Sequence, residues 1–314
     1  MKILITPRGF AKNGMNYIKE MEDKGYEVHY NDTGLQYTPE QFLEYAEDSD
    51  GIIVGVDDLS KRVMSKCHKL KVVCKFGVGT DNIDLNYAKE NGILVGRTVG
   101  SNSNSVAEHV MGYIYSDAKN LYQSINFVKN HEWKKLTGSE IFGKTLGIIG
   151  FGSIGKQLAR QAVGVGMKVN VYDVFDISKG ILDEYNVKQV DFETILKISD
   201  YITLHLPLNE HTRNMISTNE FIQMKNNVCL INAARGGIVD EAALYQVLKN
   251  HEIRSAYFDV FSTEPPKEDN PLIGLDNFIL TPHTAARTLE ADQNTCEKSA
   301  NIVMNELEKT KTGV

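Results

Sequence analysis

Three polar residues of complementary chemistry each follow a short apolar run in the C-terminal half of the chain. Arg235 comes after VCLIN, Glu264 after AYFDV and His283 after FILT. Runs of this length, rich in β-branched and aromatic residues, are typical of buried parallel strands. Because ligands bind at the carboxyl ends of the strands in open α/β sheets, we expect the arginine, the glutamate and the histidine at one edge of a sheet.

These three groups suit the reduction of a 2-keto acid by hydride transfer. The planar guanidinium of Arg235 could hold a substrate carboxylate and stabilise the negative charge that develops on the carbonyl oxygen. His283 could donate a proton near neutral pH and take it back in the reverse direction. Glu264, if it meets His283, would favour the imidazolium form of the histidine. The pattern therefore predicts an oxidoreductase site with no metal ion.

Each of these residues also has an ordinary interpretation. An arginine before Gly-Gly is often a surface-turn residue, a glutamate before Pro-Pro can be solvated, and a histidine can simply end a strand. Three matched residues at three consecutive strand ends favour a catalytic site. Four other histidines lack such neighbours in the sequence: His29, His109, His205 and His211. Of these, His205 ends a strand and could line a cofactor cleft.

A cofactor-binding pattern precedes these strands. The segment KTLGIIGFGSIGKQLARQAVGVGMKVNVYD, residues 144–173, reads as a strand, a G-x-G-x-x-G turn, a helix, a second strand and a terminal acid. Gly150 makes the tight turn, Gly152 lets a pyrophosphate approach the backbone, and Gly155 lets the helix pack close to the strand. Asp173 is placed to accept hydrogen bonds from a ribose and would repel a 2′-phosphate, so the segment predicts NAD rather than NADP.

The first 98 or so residues alternate strands and helices, and predict a separate α/β layer with a mostly parallel sheet. Helices are expected over 13–24, 39–46 and 59–68. The segment KFGVGTDNID, residues 75–84, places two glycines after one of these strands. Its backbone N–H groups could bind a carboxylate or phosphate, or the segment could be a tight turn in which Asp81 caps the next helix. Spacing alone does not separate these two interpretations.

Length and composition agree with a soluble protein of two domains. The chain has 314 residues, a net charge of −7 and a pI near 5.7, which argue against general binding to nucleic acid or to an anionic membrane. Four cysteines without C-x-x-C spacing indicate reduced thiols in a cytoplasmic protein. A long helix is expected over 104–129 and a last helix over 291–308, followed by a tail over 309–314.

Seven sequence blocks in order resemble the D-isomer-specific 2-hydroxyacid dehydrogenase family, over nearly the whole chain. They are KFGVGTDNID, SNSNSVAEH, LGIIGFGSIGK, LHLPLNEHT, INAARGGIVDE, DVFSTEPP and TPHTA. The resemblance implies an NAD-binding Rossmann domain with a doubly wound parallel sheet over 100–287. It also implies a flavodoxin-like α/β substrate domain over 1–99 and 288–314, and a homodimer formed mainly through the NAD domain.

The resemblance also implies roles for individual residues. Arg235, Glu264 and His283 would be catalytic, with His283 as the proton donor. Gly77, Val78 and Gly79 would bind the substrate carboxylate together with Arg235 and His283, which favours the ligand-binding interpretation of that loop. The residues expected to contact NAD are Val78, Gly150, Gly152, Ser153, Ile154, Gly155, Asp173, His205, Leu206, Pro207, Ala233, Ala234, Arg235, Asp259, His283, Ala285 and Ala286.

Within the family, TPRGF and NSNSVAEH are most similar to short-type 3-phosphoglycerate dehydrogenases of serine biosynthesis. Arg8 and Arg97 are candidates to bind a substrate phosphate, although both could equally be surface charges. Ala286-Arg287 departs from many relatives and leaves the substrate open. A glyoxylate or hydroxypyruvate reductase and a D-lactate dehydrogenase are the enzymatic alternatives, and an NAD-responsive corepressor-like protein is the alternative of a different class.

Overall fold

The computed structural model describes residues 1–312, so residues 313 and 314 of the predicted tail lie outside the described part. The twelve strands of that part are β1 Lys2–Ile5, β2 Glu27–Tyr30, β3 Gly51–Val54, β4 Val72–Lys75, β5 Leu94–Arg97, β6 Thr145–Ile149, β7 Lys168–Tyr172, β8 Lys188–Gln189, β9 Tyr201–Leu204, β10 Cys229–Asn232, β11 Ser255–Phe258 and β12 Phe278–Leu280. The helices of residues 1–312 are α1 Arg8–Asn13, α2 Met15–Asp23, α3 Pro39–Ala46, α4 Lys61–Met64, α5 Leu85–Glu90, α6 Ser103–Ala118, α7 Leu121–Lys129, α8 Ser153–Gly164, α9 Lys179–Tyr185, α10 Phe192–Ile198, α11 Thr218–Phe221, α12 Glu241–Lys249 and α13 Leu289–Thr312, with a 3₁₀ turn at Pro271–Gly274.

These elements form two compact units. Unit 1 comprises Met1–Asn102 and Arg287–Val314, and unit 2 comprises Ser103–Ala286. The sequence placed the corresponding boundaries at 99/100 and 287/288. None of the helices over 1–312 is both long and apolar enough to cross a membrane.

Unit 1 is built on a five-stranded parallel sheet in the order β2-β1-β3-β4-β5. This is the flavodoxin-like order, and it agrees with the predicted fold. The central strands GIIV and VVCK are apolar almost throughout because helices cover both faces of the sheet. One face packs against α13, where Ala300, Val303 and Leu307 are fully buried.

Unit 2 is built on a seven-stranded parallel sheet in the order β12-β11-β10-β9-β6-β7-β8. Counted from β6, this is the doubly wound Rossmann order with one further strand, which confirms the predicted fold class. The order reverses at the β6–β9 pair, so the crevice where a ligand binds lies at the carboxyl ends of these strands. Apolar clusters cover both faces of the sheet.

Several helix predictions were wrong in extent. The single helix over 104–129 is two helices, α6 and α7, because Asn120 adopts a left-handed φ of 49° that ends one helix before the next begins. The helix over 59–68 is only the single turn α4, and α1 precedes the helix expected from residue 13. The last helix continues to Thr312, so 309–312 are helical rather than a tail.

Candidate active site

The loop after β10 carries Arg235 and is fixed by the end of its own strand. The buried Asn232 side chain donates to the Arg235 carbonyl over 2.9 Å, and its Oδ1 accepts the N–H of Ala234 over 3.0 Å. The next residue, Gly236, lies against the neighbouring loop so closely that a Cβ would be 1.8 Å from the Phe261 carbonyl oxygen. Only glycine permits this approach. The half-buried Arg235 is therefore held beside the segment that carries Glu264.

The loop after β11 places Glu264 against His283. One carboxylate oxygen of Glu264 accepts the N–H of Phe261 over 3.0 Å, and the other is 2.7 Å from Nδ1 of His283. A carboxylate at Nδ1 favours the proton on that nitrogen and fixes the direction of the ring. Nε2 is then the nitrogen that can exchange a proton with a ligand. The sequence predicted this pair, and the structure brings the two residues together.

The turn that carries His283 has an unusual backbone. His283 has a φ of 52°, in the left-handed region that costs a residue other than glycine about 1–2 kcal/mol. The carbonyl of Asp259 accepts the His283 N–H over 2.9 Å. The two carboxylate oxygens of Asp259 accept the N–H groups of Thr284 and Ala285, each over 2.8 Å. Asp259, predicted to contact NAD, thus holds the turn that carries His283.

The glycine loop after β6 has the form that a dinucleotide requires. Gly150 has a φ of 98°, and a Cβ there would meet the His205 carbonyl at 2.4 Å. A Cβ on Gly155 would meet the Gly150 carbonyl at 2.4 Å, whereas the space at Gly152 is open. Within residues 1–312, the backbone N–H groups of Ser153 and Ile154, at the start of α8, donate no hydrogen bond. This loop therefore fits a pyrophosphate, with free donors at a helix N-terminus.

Asp173 lies beside the glycine loop, at the end of β7. Its Oδ2 accepts the N–H of Phe151 over 2.8 Å, and its Oδ1 accepts the N–H of Phe175 over 3.2 Å. A carboxylate has about four acceptor positions, so the two that remain can receive the hydroxyls of a ribose. The glycine loop thus has the space and the N–H donors for the pyrophosphate of NAD, and Asp173 has acceptors for its ribose.

His205 follows β9 and lies directly beside Gly150. Its Nε2 is 3.0 Å from Thr203 Oγ1, and its Nδ1 is shielded from solvent with no partner in the described residues. Burial lowers the pKa of His205 to about 4, so the ring is neutral at pH 7. Its neighbour Leu206 is half-buried and Pro207 is exposed; after β10, Ala233 is half-buried and Ala234 is buried.

In unit 1, the Gly77–Gly79 loop follows β4. The N–H of Gly77 donates to Thr98 Oγ1 over 3.0 Å, and Gly77 has a φ of 140° that permits the turn. The N–H groups of Val78 and Gly79 donate to no group of residues 1–312. Lys75 supports the loop, because its ammonium donates to Asn82 Oδ1 over 2.7 Å. Two of the three N–H groups that were predicted to bind a substrate carboxylate, those of Val78 and Gly79, therefore have no partner among residues 1–312.

Comparison with known proteins decides the family. The family described as D-isomer specific 2-hydroxyacid dehydrogenase, NAD binding domain, matches residues 111–285, which is more than half of the chain. The chain belongs to this family. The match confirms the predicted family and the NAD cofactor, and it covers the glycine loop, Asp173 and the His283 turn.

Relatives named for different activities resemble this chain. D-3-phosphoglycerate dehydrogenase of Methanocaldococcus jannaschii is 42% identical over 300 residues, which are 94% of this chain and 55% of that protein. This chain thus spans about half the length of that relative. Hydroxypyruvate reductase of Thermotoga maritima is 37% identical over 305 residues, 90% of this chain and 98% of that protein. The structure of Aquifex aeolicus D-lactate dehydrogenase with NAD and lactic acid superposes with a TM-score of 0.81 at 29% identity, covering 99% of this chain and 98% of that one.

Sequence reasoning missed part of the surroundings of the His283 turn. His109, dismissed for lack of chemical neighbours in the sequence, is 3.2 Å from Thr281 Oγ1, two residues before His283. Tyr113, one turn further along α6, contacts the same oxygen. The spacing of four residues between His109 and Tyr113 was the available signal, because it places both on one helix face. Within residues 1–312, no group of three or more His, Cys, Asp or Glu side chains could hold a metal ion.

Proposed function

We propose that this protein is an NAD-dependent D-2-hydroxyacid dehydrogenase whose substrate is 3-phosphoglycerate, as in serine biosynthesis. The observation that carries the catalytic part is the 2.7 Å contact between Glu264 and Nδ1 of His283, which leaves Nε2 for the substrate. The same sheet edge carries Arg235, and the glycine loop presents free N–H groups for NAD. Hydride transfer to a carbonyl needs such a set: a proton donor, a cation and a nearby dinucleotide.

In the proposed mechanism, bound NADH supplies the hydride that reduces the carbonyl carbon of the keto acid. His283 donates the proton from Nε2 to the carbonyl oxygen, while Glu264 balances the charge of the imidazolium. Arg235 stabilises that oxygen and the carboxylate of the substrate with its fixed fork of N–H groups. We assign the free N–H groups of Val78 and Gly79 to binding a substrate carboxylate, with Gly77 permitting the turn. In the oxidation direction, neutral His283 accepts the proton of the hydroxyl.

The phosphate of the proposed substrate is assigned to Arg8 and Arg97. Arg8 starts α1 just after β1, and Arg97 ends β5, so both belong to the carboxyl edge of the unit 1 sheet that also carries the Gly77–Gly79 loop. Arg8 donates to the Gly34 carbonyl over 3.4 Å, which leaves most of its donors for an anion. The 42% identity to a phosphoglycerate dehydrogenase supports this substrate.

A hydroxypyruvate reductase is the second candidate. The relative with that name is matched over 98% of its own length, so its whole architecture corresponds to this chain. The two substrates differ in the phosphate, and the two arginines of unit 1 should therefore separate them. Glyoxylate and D-lactate enzymes would use the same catalytic residues and no phosphate site.

The first experiment measures NADH oxidation with 3-phosphohydroxypyruvate, hydroxypyruvate, glyoxylate, pyruvate and 2-ketoglutarate. We expect kcat/KM to be about 100-fold higher for the phosphorylated acid, which corresponds to about 3 kcal/mol of transition-state binding. Arg8→Ala and Arg97→Ala should remove most of this preference and leave hydroxypyruvate turnover unchanged. A preference for an unphosphorylated acid would assign the protein to the reductase or lactate branch. Tight NADH binding without turnover would instead favour the corepressor-like alternative.

His283→Ala tests the catalytic assignment directly. We expect kcat to fall about 1000-fold, because the proton donor is lost, with NADH affinity nearly unchanged. The kcat of Glu264→Gln should fall less, because the amide keeps an acceptor for the His283 ring but removes the charge that balances the imidazolium. Fluorescence titration with NADH gives the binding control. Turnover of His283→Ala near that of the wild type would remove His283 from the mechanism.

We also infer that the enzyme works as a homodimer in the cytoplasm. Helix α7 has no buried residue, and its apolar side chains Leu121, Ile125 and Val128 lie on one exposed face of unit 2. Such a face is suited to a second copy of the chain. The cysteines of the described chain, Cys67, Cys74, Cys229 and Cys296, are buried free thiols, as expected in a reducing compartment.

A further inference from the structure

Helix α6 reaches the catalytic turn with two side chains, His109 and Tyr113. Nε2 of His109 is 3.2 Å from Thr281 Oγ1, and the hydroxyl of Tyr113 contacts the same oxygen and can donate to the Phe258 carbonyl over 3.1 Å. The two rings meet edge to face with their centroids 4.5 Å apart. Thr281 is thus held between α6 and the strand end that leads to His283.

The direction of the hydrogen bonds follows from the supply of protons. Thr281 contacts a carboxylate oxygen of Asp259, and an ionised carboxylate can only accept, so the single hydroxyl proton of Thr281 points at Asp259. Thr281 Oγ1 must then accept its other hydrogen bonds. Tyr113 has one proton to divide between Thr281 and Phe258. Because Thr281 Oγ1 is an acceptor here, its 3.2 Å contact with Nε2 of His109 is a hydrogen bond when that nitrogen carries a proton.

Asp259 transmits this arrangement to the proton donor. Its side chain is 1% exposed, and a buried carboxylate needs its hydrogen bonds to remain stable. The same carboxylate holds the N–H groups of Thr284 and Ala285, and its own carbonyl holds the N–H of His283. Rotation of Thr281 away from Asp259 would remove one of three donors. The left-handed turn at His283 depends on this carboxylate, because such a conformation persists only where the surroundings hold it.

The charge state of His109 fits a neutral donor. Burial lowers the pKa of His109, and Asp259, 3.9 Å from Nε2, opposes this effect. A neutral ring with the proton on Nε2 donates to Thr281 without adding a second buried charge. Its Nδ1 then carries no proton.

We propose that His109 is a positioning residue for the proton transfer, and that it acts through Thr281 and Asp259 on the turn of His283. Tyr113 shares this role through the same hydroxyl. The inference rests on the proposed function, in which Nε2 of His283 donates the proton to the substrate. Neither residue contacts the reacting atoms; they fix the position from which His283 reacts.

The test compares His109→Leu, which fills a similar volume without a donor, with His109→Gln, whose amide places an N–H near the position of Nε2. Keto-acid reduction gives kcat and KM, fluorescence titration gives the Kd for NADH, and rates in H₂O and D₂O give the solvent isotope effect on kcat. Misplacement of a reacting group is costly, so we expect His109→Leu to lower kcat about tenfold. The solvent isotope effect should rise, because proton transfer becomes more rate-limiting, and the Kd for NADH should stay within about twofold of the wild type.

His109→Gln should recover kcat to within about threefold of the wild type, because a donor to Thr281 is restored. His68→Leu, at an exposed histidine of unit 1, is the control for a histidine-to-leucine change. If His109→Leu does not fold, His109→Asn replaces it, because its shorter amide stops before Thr281. Tyr113→Phe in the His109→Leu background should lower kcat further, since Thr281 then loses both partners on α6.

Two results would overturn the inference about His109 without affecting the proposed function. The first is a kcat and an isotope effect for His109→Leu equal to those of the wild type. The second is an equal loss in His109→Leu and His109→Gln, which would mean that the shape of the ring matters and its donor does not. His283→Ala is measured in parallel. If it is fully active, the proposed function fails and the inference fails with it; if it is inactive, the two results above bear on His109 only.

Discussion

At the scale of single residues, we expect the carboxylate of Asp173 to decide which dinucleotide binds. It is anchored by the N–H groups of Phe151 and Phe175, so it cannot turn away from a ligand on the glycine loop. Its charge repels a 2′-phosphate, whereas its free acceptor positions attract ribose hydroxyls. We therefore expect kcat/KM to be much higher with NADH than with NADPH.

Asp173→Asn tests this expectation with the smallest change. The amide keeps an acceptor for one of the two N–H groups and removes the charge. The kcat/KM with NADPH should therefore rise. The kcat/KM with NADH should fall by about tenfold, which corresponds to the loss of a hydrogen bond to a charged group. Asp176→Asn, an exposed acid three residues further on, should change neither. Equal use of both dinucleotides by the wild type would contradict the role given to Asp173.

His205 links the cofactor loop to the pH dependence of stability. Its pKa is lowered by burial to about 4, and the unfolded chain has an ordinary value near 6.5. Between these values the unfolded state binds a proton that the folded state does not, so stability falls as the pH drops from 6.5 towards 4. The contribution of this one residue between pH 7 and pH 5 is about 2 kcal/mol.

Urea unfolding at pH 7 and pH 5 measures that contribution. The wild type should lose more stability on acidification than His205→Asn does, by about 2 kcal/mol. His211→Asn should behave as the wild type, because the His211 side chain is 85% exposed. A pH dependence in His205→Asn equal to that of the wild type would show that His205 is protonated equally in both states.

At the scale of elements, the loops after β10 and β11 act as one support because Gly236 lets their backbones touch. Gly236→Ala places a Cβ 1.8 Å from a backbone oxygen, where no side-chain rotation can relieve the overlap. We expect the variant to lose about 3 kcal/mol of unfolding free energy and most of its kcat, since Arg235 and Glu264 are carried by the two displaced loops.

Gly180→Ala is the matched control, because the space around that glycine in α9 is open. Alanine should stabilise the helix there by about 0.5–1 kcal/mol. Urea unfolding followed by circular dichroism, together with the keto-acid assay, measures both effects. A Gly236→Ala variant as stable and as active as the wild type would mean that the two loops do not need to touch.

The elements also show what sequence patterns can predict. Buried strands such as YITL and CLIN are mainly apolar, and the acid after β7 completes the dinucleotide pattern, so the strands and the glycine loop were evident from the sequence. The break between α6 and α7 was not, because apolar spacing continues across it and only the left-handed backbone of Asn120 ends the helix. The spacing of His109 and Tyr113 indicates a shared helix face, but the contact of His109 with Thr281 spans 172 residues, and no local pattern identifies that partner.

At the scale of the whole molecule, the remaining question is what covers the apolar face of unit 2. Leu121, Ile125 and Val128 are each 45–56% exposed on α7, and Trp133, further along the chain, is 82% exposed. Each such side chain contributes about 1.5–3 kcal/mol when it is fully buried. A two-fold dimer would bury the same face on both copies, so each side chain contributes its burial free energy once from each copy. We therefore expect a stable homodimer at micromolar concentration.

Sedimentation equilibrium tests this expectation on the wild type and on Ile125→Glu combined with Val128→Glu. The double variant should be monomeric, because four carboxylates would be buried without partners in each dimer. Ile222→Glu, at a residue of unit 2 that is 74% exposed and lies outside α7, should remain dimeric. If the wild type is itself monomeric, the α7 face has another occupant. If the double variant still dimerises, the interface lies elsewhere on the chain, and α7 cannot be the surface that joins the two copies.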